Sequence, residues 1–318
     1  MTLEQFLTEW NAPTERLLVH TSGSTGRPKP MWVEKRRMLN SARITCDFLG
    51  LQPGDTALLC MPLDYIAGKM MAVRAQERNL RLISVTPSNH PLDHLPADAD
   101  ITFAAMVPSQ VYCSMDDARL RQIRHLIIGG GAISHDMQQQ LRTFPNAVWS
   151  TYGMTETLSH IALRRLSGSE ASEWYTPFES VSISLNDDGC LVIDAPLVHD
   201  GLLVTNDIAR LHPDGRRFRI IGRRDNVICS GGIKLQIEEI EERLRPVMPC
   251  DFCITKRPDP KFGEAAVLLV TKQHPDWSSV FAKVLTPYET PKHIITVPAI
   301  PLTGTGKIDR KAAISIKG

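Results

Sequence analysis

The sequence contains no apolar run near the roughly 20 residues needed to cross a bilayer, which argues against a helical membrane span. Met1 to Trp10 lacks a basic segment followed by an apolar one, so it does not read as a signal peptide. An excess of charge is missing as well: 36 Lys and Arg stand against 35 Asp and Glu, a formal net charge of +1. That leaves no global basic field to recruit nucleic acid and no acidic tail. Metal-ligand spacing is scarce. Of seven cysteines, Cys250 and Cys253 alone have CxxC spacing, and no second pair or histidine completes a zinc set. They read as two small residues beside or in a strand. An odd, scattered set of thiols points to reduced cysteines in the cytoplasm. Small molecules remain as the expected partners, with a homo-oligomer left open.

What is present is a long chain of ordinary globular composition. Its 318 residues, 42% hydrophobic, exceed one ordinary core and favour two domains. Thr2 to Gln5 has the form of a capping box opening a helix. Arg16 to His20 reads as a strand, and Glu34 to Leu49 as a helix closed by Gly50. Strands over 56–61, 80–85, 101–107, 124–128 and 147–151 are interleaved with helices over 67–78 and 134–141. This alternation predicts a layered α/β domain with a mostly parallel sheet. After about residue 180, turns at Asn186-Asp187-Asp188-Gly189 and His212-Pro213-Asp214-Gly215 predict two hairpins, hence an antiparallel β subdomain. From about Arg224 a helix (237–244), a strand (265–271) and a second helix from Asp276 predict a small α+β C-terminal domain.

The strongest chemical signal is Thr21-Ser22-Gly23-Ser24-Thr25-Gly26-Arg27-Pro28-Lys29. Its glycines allow close backbone approach to a polyanion, its hydroxyls add donors, and Lys29 adds a charge. It is a phosphate-loop candidate but not a Walker A loop, because Gly26 is followed by Arg27. Gly129-Gly130-Gly131-Ala132 follows a strand and allows a similar approach. Tyr152 offers an aromatic face. Thr155 is a hydroxyl donor, Glu156 and Asp207 are acceptor-only carboxylates of hard oxygens, and Arg223 is a forked donor. Taken singly, each has a bland reading: Tyr152 as a core aromatic, Asp207 as a turn former, Lys307 as a solvated charge.

Taken in order, these elements resemble the superfamily of acyl-CoA synthetases, peptide-synthetase adenylation domains and luciferase. Residues 21–29 resemble its phosphate-loop signature, Tyr152-Gly153-Met154-Thr155-Glu156-Thr157 its Y-G-x-T-E element, and Thr205-Asn206-Asp207 its T-G-D element. Gly222-Arg223-Arg224-Asp225 resembles the hinge motif, with Asp225 at the hinge position. Pro301-Leu302-Thr303-Gly304-Thr305-Gly306-Lys307 resembles the catalytic-lysine motif. The resemblance implies an ATP-dependent, Mg²⁺-assisted activation of a carboxylic acid as acyl-AMP, then transfer to a thiol, coenzyme A foremost. Lys307, Thr155 and Glu156 would be catalytic, with Glu156 also a Mg²⁺ ligand, Tyr152 stacked on the base, and Asp207 and Arg223 at the ribose. It also implies a large domain over 1–223 and a C-terminal lid over 224–318. The lid would take two orientations, one presenting Lys307 and one withdrawing it.

The chain departs from the family pattern in three places. Most relatives carry a large N-terminal subdomain ahead of the phosphate loop, and here that loop begins at residue 21. Pro30 follows Lys29 where glycine is usual. Tyr65 stands where relatives often have histidine, in Pro62-Leu63-Asp64-Tyr65-Ile66-Ala67-Gly68-Lys69. Lys69 and His160 near the expected acyl pocket suggest a substrate with a second anionic group. Among family branches, the short chain and this segment look most like o-succinylbenzoate–CoA ligases of menaquinone synthesis. Three other readings stay open: a carrier-protein-loading enzyme, a ligase for another aryl acid, and an inactive nucleotide-binding protein.

Overall fold

The structure, a computed structural model, describes residues 1–20, 30–96, 98–303 and 308–316. Two compact units emerge. The first comprises 1–184, 193–203 and 211–218; the second comprises 185–192, 204–210 and 219–318. The last segment of the second unit begins a few residues ahead of the expected boundary at 223.

The first unit is built on a seven-stranded sheet. Strands Arg81–Ser84, Thr56–Leu59, Phe103–Met106, His125–Ile128 and Ala147–Gly153 lie side by side in that order and run parallel. His160–Arg165 and Thr176–Pro177 continue the sheet antiparallel. The central strands are buried along their whole length, as expected of a parallel sheet covered on both faces. On one face Leu58, Ala104, Leu126 and Val148, from four neighbouring strands, share a core with Met137 and Leu141 of helix His135–Leu141. Ser134 caps that helix by accepting the Met137 N–H at 3.2 Å.

Helix Leu3–Asn11 begins in the expected capping box of Thr2 and Gln5. Helix Lys35–Leu49 ends on Gly50, whose φ of 64° is the left-handed conformation glycine adopts freely. Helix Ile66–Arg78 is buried nearly all round from Gly68 to Ala75. Its start lies against backbone: a Cβ on Gly68 would fall 2.3 Å from the Pro62 carbonyl oxygen.

Strands Ser182–Leu185, Cys190–Asp194, Leu202–Leu211 and Phe218–Arg223 form a four-stranded sheet in chain order, so the expected hairpin partners are neighbours. In the second unit, strands Ile233–Gln236, Val227–Ser230, Gly263–Val270 and Phe252–Asp259 lie in that order, with His293–Thr296 pairing parallel to Gly263–Val270. Strand Gly263–Val270 divides two cores by simple alternation. Leu268 and Val270 face Ile237, Ile240 and Leu244 of helix Ile237–Leu244, whereas Val267 and Leu269 face Cys253 and Ala313. Cys253 thus lies within strand Phe252–Asp259 as a small core residue, and burial pushes its thiol up to about 12.

Candidate active site

The phosphate-loop residues Thr21, Ser22, Gly23, Ser24, Thr25, Gly26 and Lys29 lie outside the described residues, and so does Lys307. What brackets the loop is described. Strand Arg16–His20 pairs antiparallel with Pro30–Glu34, and His20 faces Pro30 across the pair. His20 and Pro30, the described residues on either side of 21–29, are therefore adjacent.

Gly129, Gly130, Gly131 and Ala132 follow the C-terminal end of parallel strand His125–Ile128, the end at which open α/β sheets bind ligands. Gly130 has φ 77°, and a Cβ on Gly129 would meet the Thr151 hydroxyl at 2.4 Å. The same edge carries Tyr152 and Gly153 at the end of strand Ala147–Gly153. The Tyr152 ring lies edge-on to Phe218 at 5.1 Å and tilted to Tyr175 at 5.8 Å.

A single 3-10 turn, Thr155–Thr157, follows. Thr155 is buried and Glu156 is exposed. The Glu156 backbone carbonyl lies 3.2 Å from the His199 ring, while its carboxylate has no partner among the described residues. An exposed acidic oxygen pair beside the glycine-rich edge fits a hard divalent cation.

His160, at the start of the next strand, belongs to a buried polar cluster. Its Nε2 lies 3.1 Å from the Thr45 hydroxyl, which donates to the Ser41 carbonyl at 3.0 Å. Its Nδ1 lies 3.2 Å from the Ser159 hydroxyl. Thr45 has spent its proton on Ser41, so the arrangement is satisfied when His160 carries its proton on Nε2 and accepts from Ser159 on Nδ1. Burial, and then the nearby Arg74, hold the ring well below the usual histidine range, so it is neutral. His160 also borders a cavity of about 10 Å³, room for roughly one water.

Sequence reasoning missed Arg74. It is 2% exposed, the largest wholly buried side chain of the described residues. Its Nη2 donates to Ser159 Oγ at 2.6 Å and approaches Thr45 at 3.5 Å. Nη1 reaches only the Met71 sulfur at 3.9 Å, and Nε has no partner. No carboxylate among the described residues pairs with it. Burial pushes its guanidinium down to about 10, against a weak opposing pull from Cys46. The available signal was a lone arginine in the otherwise apolar run Met70-Met71-Ala72-Val73-Arg74-Ala75.

The other substrate candidates separate from this cluster. Tyr65 is exposed at the N-terminal end of helix Ile66–Arg78. The Lys69 ammonium turns instead toward helix Leu3–Asn11: it sits 5.2 Å from the Phe6 ring centre, 4.0 Å from Glu9 and 3.4 Å from the Met1 sulfur. Burial lowers its basicity, with Glu9 opposing.

In the second unit, Arg223 joins Asp207 and Asp225: Nη1 donates to Asp207 at 3.1 Å and Nη2 to Asp225 at 3.0 Å. Burial lowers the Arg223 guanidinium, but the hydrogen bond to Asp225 and the charge of Asp207 more than offset it. The structure thus brings the expected ribose residues and the expected hinge residue into one ion-pair cluster. Near the chain's end, Arg310 forms a bidentate pair with Glu241, both bonds 2.6 Å, and donates to the Ile254 carbonyl at 2.9 Å. Asp309 N–H bonds the Pro301 carbonyl at 2.8 Å, and Leu302 bridges Ile308. Residues 301–302 and 308–310 are therefore held together, and Arg310 ties them to helix Ile237–Leu244.

Comparison with known proteins gives the family. The AMP-binding enzyme family model matches residues 8–196. A 2-succinylbenzoate–CoA ligase of Salmonella typhimurium is 27% identical, over 92% of this chain and 67% of that protein. A solved acyl-CoA synthetase (AMP-forming)/AMP-acid ligase II-like protein from Dyadobacter fermentans is 35% identical, with a TM-score of 0.67, covering 97% of this chain and 91% of that one. The o-succinylbenzoate coenzyme A synthetase of Bacillus subtilis, solved with ATP and magnesium ion, has a TM-score of 0.77 at 21% identity, covering 92% and 68%. By these matches the chain belongs to the AMP-binding enzyme family and is an AMP-forming acid–CoA ligase.

Proposed function

We propose that this enzyme is a 2-succinylbenzoate–CoA ligase. It would join an aromatic dicarboxylic acid to AMP from ATP, release pyrophosphate, and pass the acyl group to coenzyme A. The observation that carries the reading is Arg74, a fully buried guanidinium with no carboxylate partner among the described residues. An unpaired charge in such a place is costly unless a ligand supplies the counter-charge. A second carboxylate on the substrate does so, and neutral His160, held by Thr45 and Ser159, braces that end. In this reading the substrate's second anion falls to Arg74 and His160, and Lys69 supports the helix that carries Arg74. The relatives named 2-succinylbenzoate–CoA ligase point to the same acid.

The reacting carboxylate would lie at the other end of the molecule, by the glycine-rich edge. Tyr152 would hold the adenine, Asp207 and Arg223 the ribose, and residues 21–29 the phosphates. Thr155 would donate to the α-phosphate. Glu156 would hold Mg²⁺, which neutralises phosphate charge when bound. Lys307 would place its ammonium where charge develops at the α-phosphorus. Asp225 would serve as the hinge of the C-terminal unit. Seven free cysteines suit a reducing, cytoplasmic setting.

The test is pyrophosphate release across a panel of acids. 2-Succinylbenzoate should exceed benzoate and fatty acids by at least about 100-fold in kcat/KM, a scale set by burying an otherwise unpaired charge. Equal use of monocarboxylates rejects the assignment. Lys307→Ala is expected to abolish acyl-AMP formation and largely spare thioester formation from supplied acyl-AMP. Equal loss of both half-reactions contradicts its role.

A further inference from the structure

The phosphate-end residues and the second-anion residues are joined by a very short piece of chain, and its backbone is strained. Leu158 has φ 65° and ψ −34°. The Ser159 N–H bonds the Thr157 carbonyl at 2.7 Å, across Leu158 alone. This is a three-residue γ-turn of the rare, strained hand. Only two non-glycine residues among those described have positive φ, and the other, Asn79, ends a helix in the ordinary left-handed way. A buried leucine in this conformation persists only where its surroundings impose it.

Those surroundings are specific. Thr157 is fully buried, and its hydroxyl ties both sides of the turn. It accepts the Met154 N–H at 3.0 Å and lies within donating distance of the Ser159 carbonyl at 2.7 Å and the Met154 carbonyl at 3.0 Å. Gly153 pinches the base of the loop: a Cβ there would fall 2.3 Å from the Ser159 carbonyl oxygen and 2.4 Å from His160 Cα. On one side of the turn stand Thr155 and Glu156. On the other, Ser159 holds Arg74 at 2.6 Å and contacts His160.

We propose that the Thr157–Leu158 turn is a specificity-determining positioning element. It fixes the separation between the residues that serve the reacting carboxylate and those that receive a second carboxylate, and so sets the preference for an acid that bears both. Leu158 supplies the reversal and Thr157 locks it. The inference rests on the assignment of Arg74 as partner of the second anion.

The test uses Thr157→Val, which keeps the shape and removes the hydroxyl, Thr157→Ser as the conservative rescue, and Leu158→Gly, which relieves the strained φ. Each is compared with wild type on 2-succinylbenzoate and on an aryl monocarboxylate, with thermal melts alongside. Thr157→Val should raise KM for the dicarboxylate about tenfold, the scale of one lost buried hydrogen bond. The KM for ATP and turnover of the monocarboxylate should stay within about twofold, and Thr157→Ser should restore the dicarboxylate KM to within about threefold. Leu158→Gly should lose the same discrimination without a lower melting temperature. Equal loss on both acids, failure of serine to rescue, or unchanged discrimination in Leu158→Gly overturns the inference. A wild-type enzyme indifferent to the second carboxylate overturns the proposed substrate and this inference together. A discriminating wild type with equally discriminating variants overturns this inference alone.

Discussion

Arg310 and Arg74 answer burial in opposite ways. In the second unit Arg310 is met by both oxygens of Glu241, itself 5% exposed, and by the Ile254 carbonyl. Burial lowers its guanidinium, but Glu241 more than compensates, and the net direction is up. In the first unit Arg74 meets only hydroxyls and a sulfur, and the direction is down, to about 10. The same side chain is thus a completed structural tie in one place and an open valence in the other. Completeness of pairing separates the two.

Three experiments bear on this contrast. The largest effect is expected at the anchor. Glu241→Gln leaves Arg310 buried without its counter-charge and should lower unfolding free energy by about 3–5 kcal/mol, read from denaturant titration. A loss under about 1 kcal/mol would place the pair among surface bridges of little worth. At the site the sign reverses. Arg74→Met removes a charge without a partner and should stabilise the ligand-free protein by about 1–3 kcal/mol, while dicarboxylate activation collapses. A destabilised Arg74→Met protein would erase the distinction. The smallest effect concerns His160. Its folded value is depressed, so the unfolded chain takes up a proton at a pH where the native ring does not. Stability from this group is therefore present above about pH 6.5 and lost as pH falls below it, by up to about 1.4 kcal/mol per pH unit. Between pH 6.5 and 5.5, wild type should lose about 1 kcal/mol more than His160→Gln. Parallel pH profiles would show that His160 titrates normally.

Local punctuation in the sequence foretold much of the fold. The Thr2 capping box, Gly50, Ser134 and Asp276 each end or begin a helix where the side chain or the free φ requires it. The apolar strands that build the parallel sheet were legible within a few residues. Elements defined by distant partners were not. Strand His293–Thr296 is mostly exposed and gains its identity from pairing with Gly263–Val270. Strands Val227–Ser230 and Ile233–Gln236 are four residues each, around two glycines with positive φ. Helix Pro108–Cys113, opened by a proline at its first turn, is too short to show a period.

The site was legible where it is a string. Tyr152 to Thr157, Asp207 and Arg223 stand out through their resemblance to family motifs; they lie at a strand end and the turn after it, inside strand Leu202–Leu211, and at the end of strand Phe218–Arg223. Arg74 was not: a lone arginine in a short apolar run is a weak local mark, and its burial without a counter-ion shows only in the structure. Lys69, five residues earlier on the same helix, drew attention as a cation, yet five steps of about 100° put the two side chains about 140° apart around the axis. Lys69 meets the Phe6 ring and Arg74 meets Ser159.

Gly68 shows how far such a placement can depend on a residue that offers no chemistry at all. The atoms a side chain there would strike belong to the main chain of Pro62 and Met61, at 2.3 to 2.9 Å. Main chain cannot swing aside as a side chain can, so even alanine would force the helix to slide or tilt. Arg74 lies six residues along that helix, about 9 Å at 1.5 Å per residue, and would be carried with it. A residue without a side chain thus sets where a guanidinium about two turns further along comes to rest.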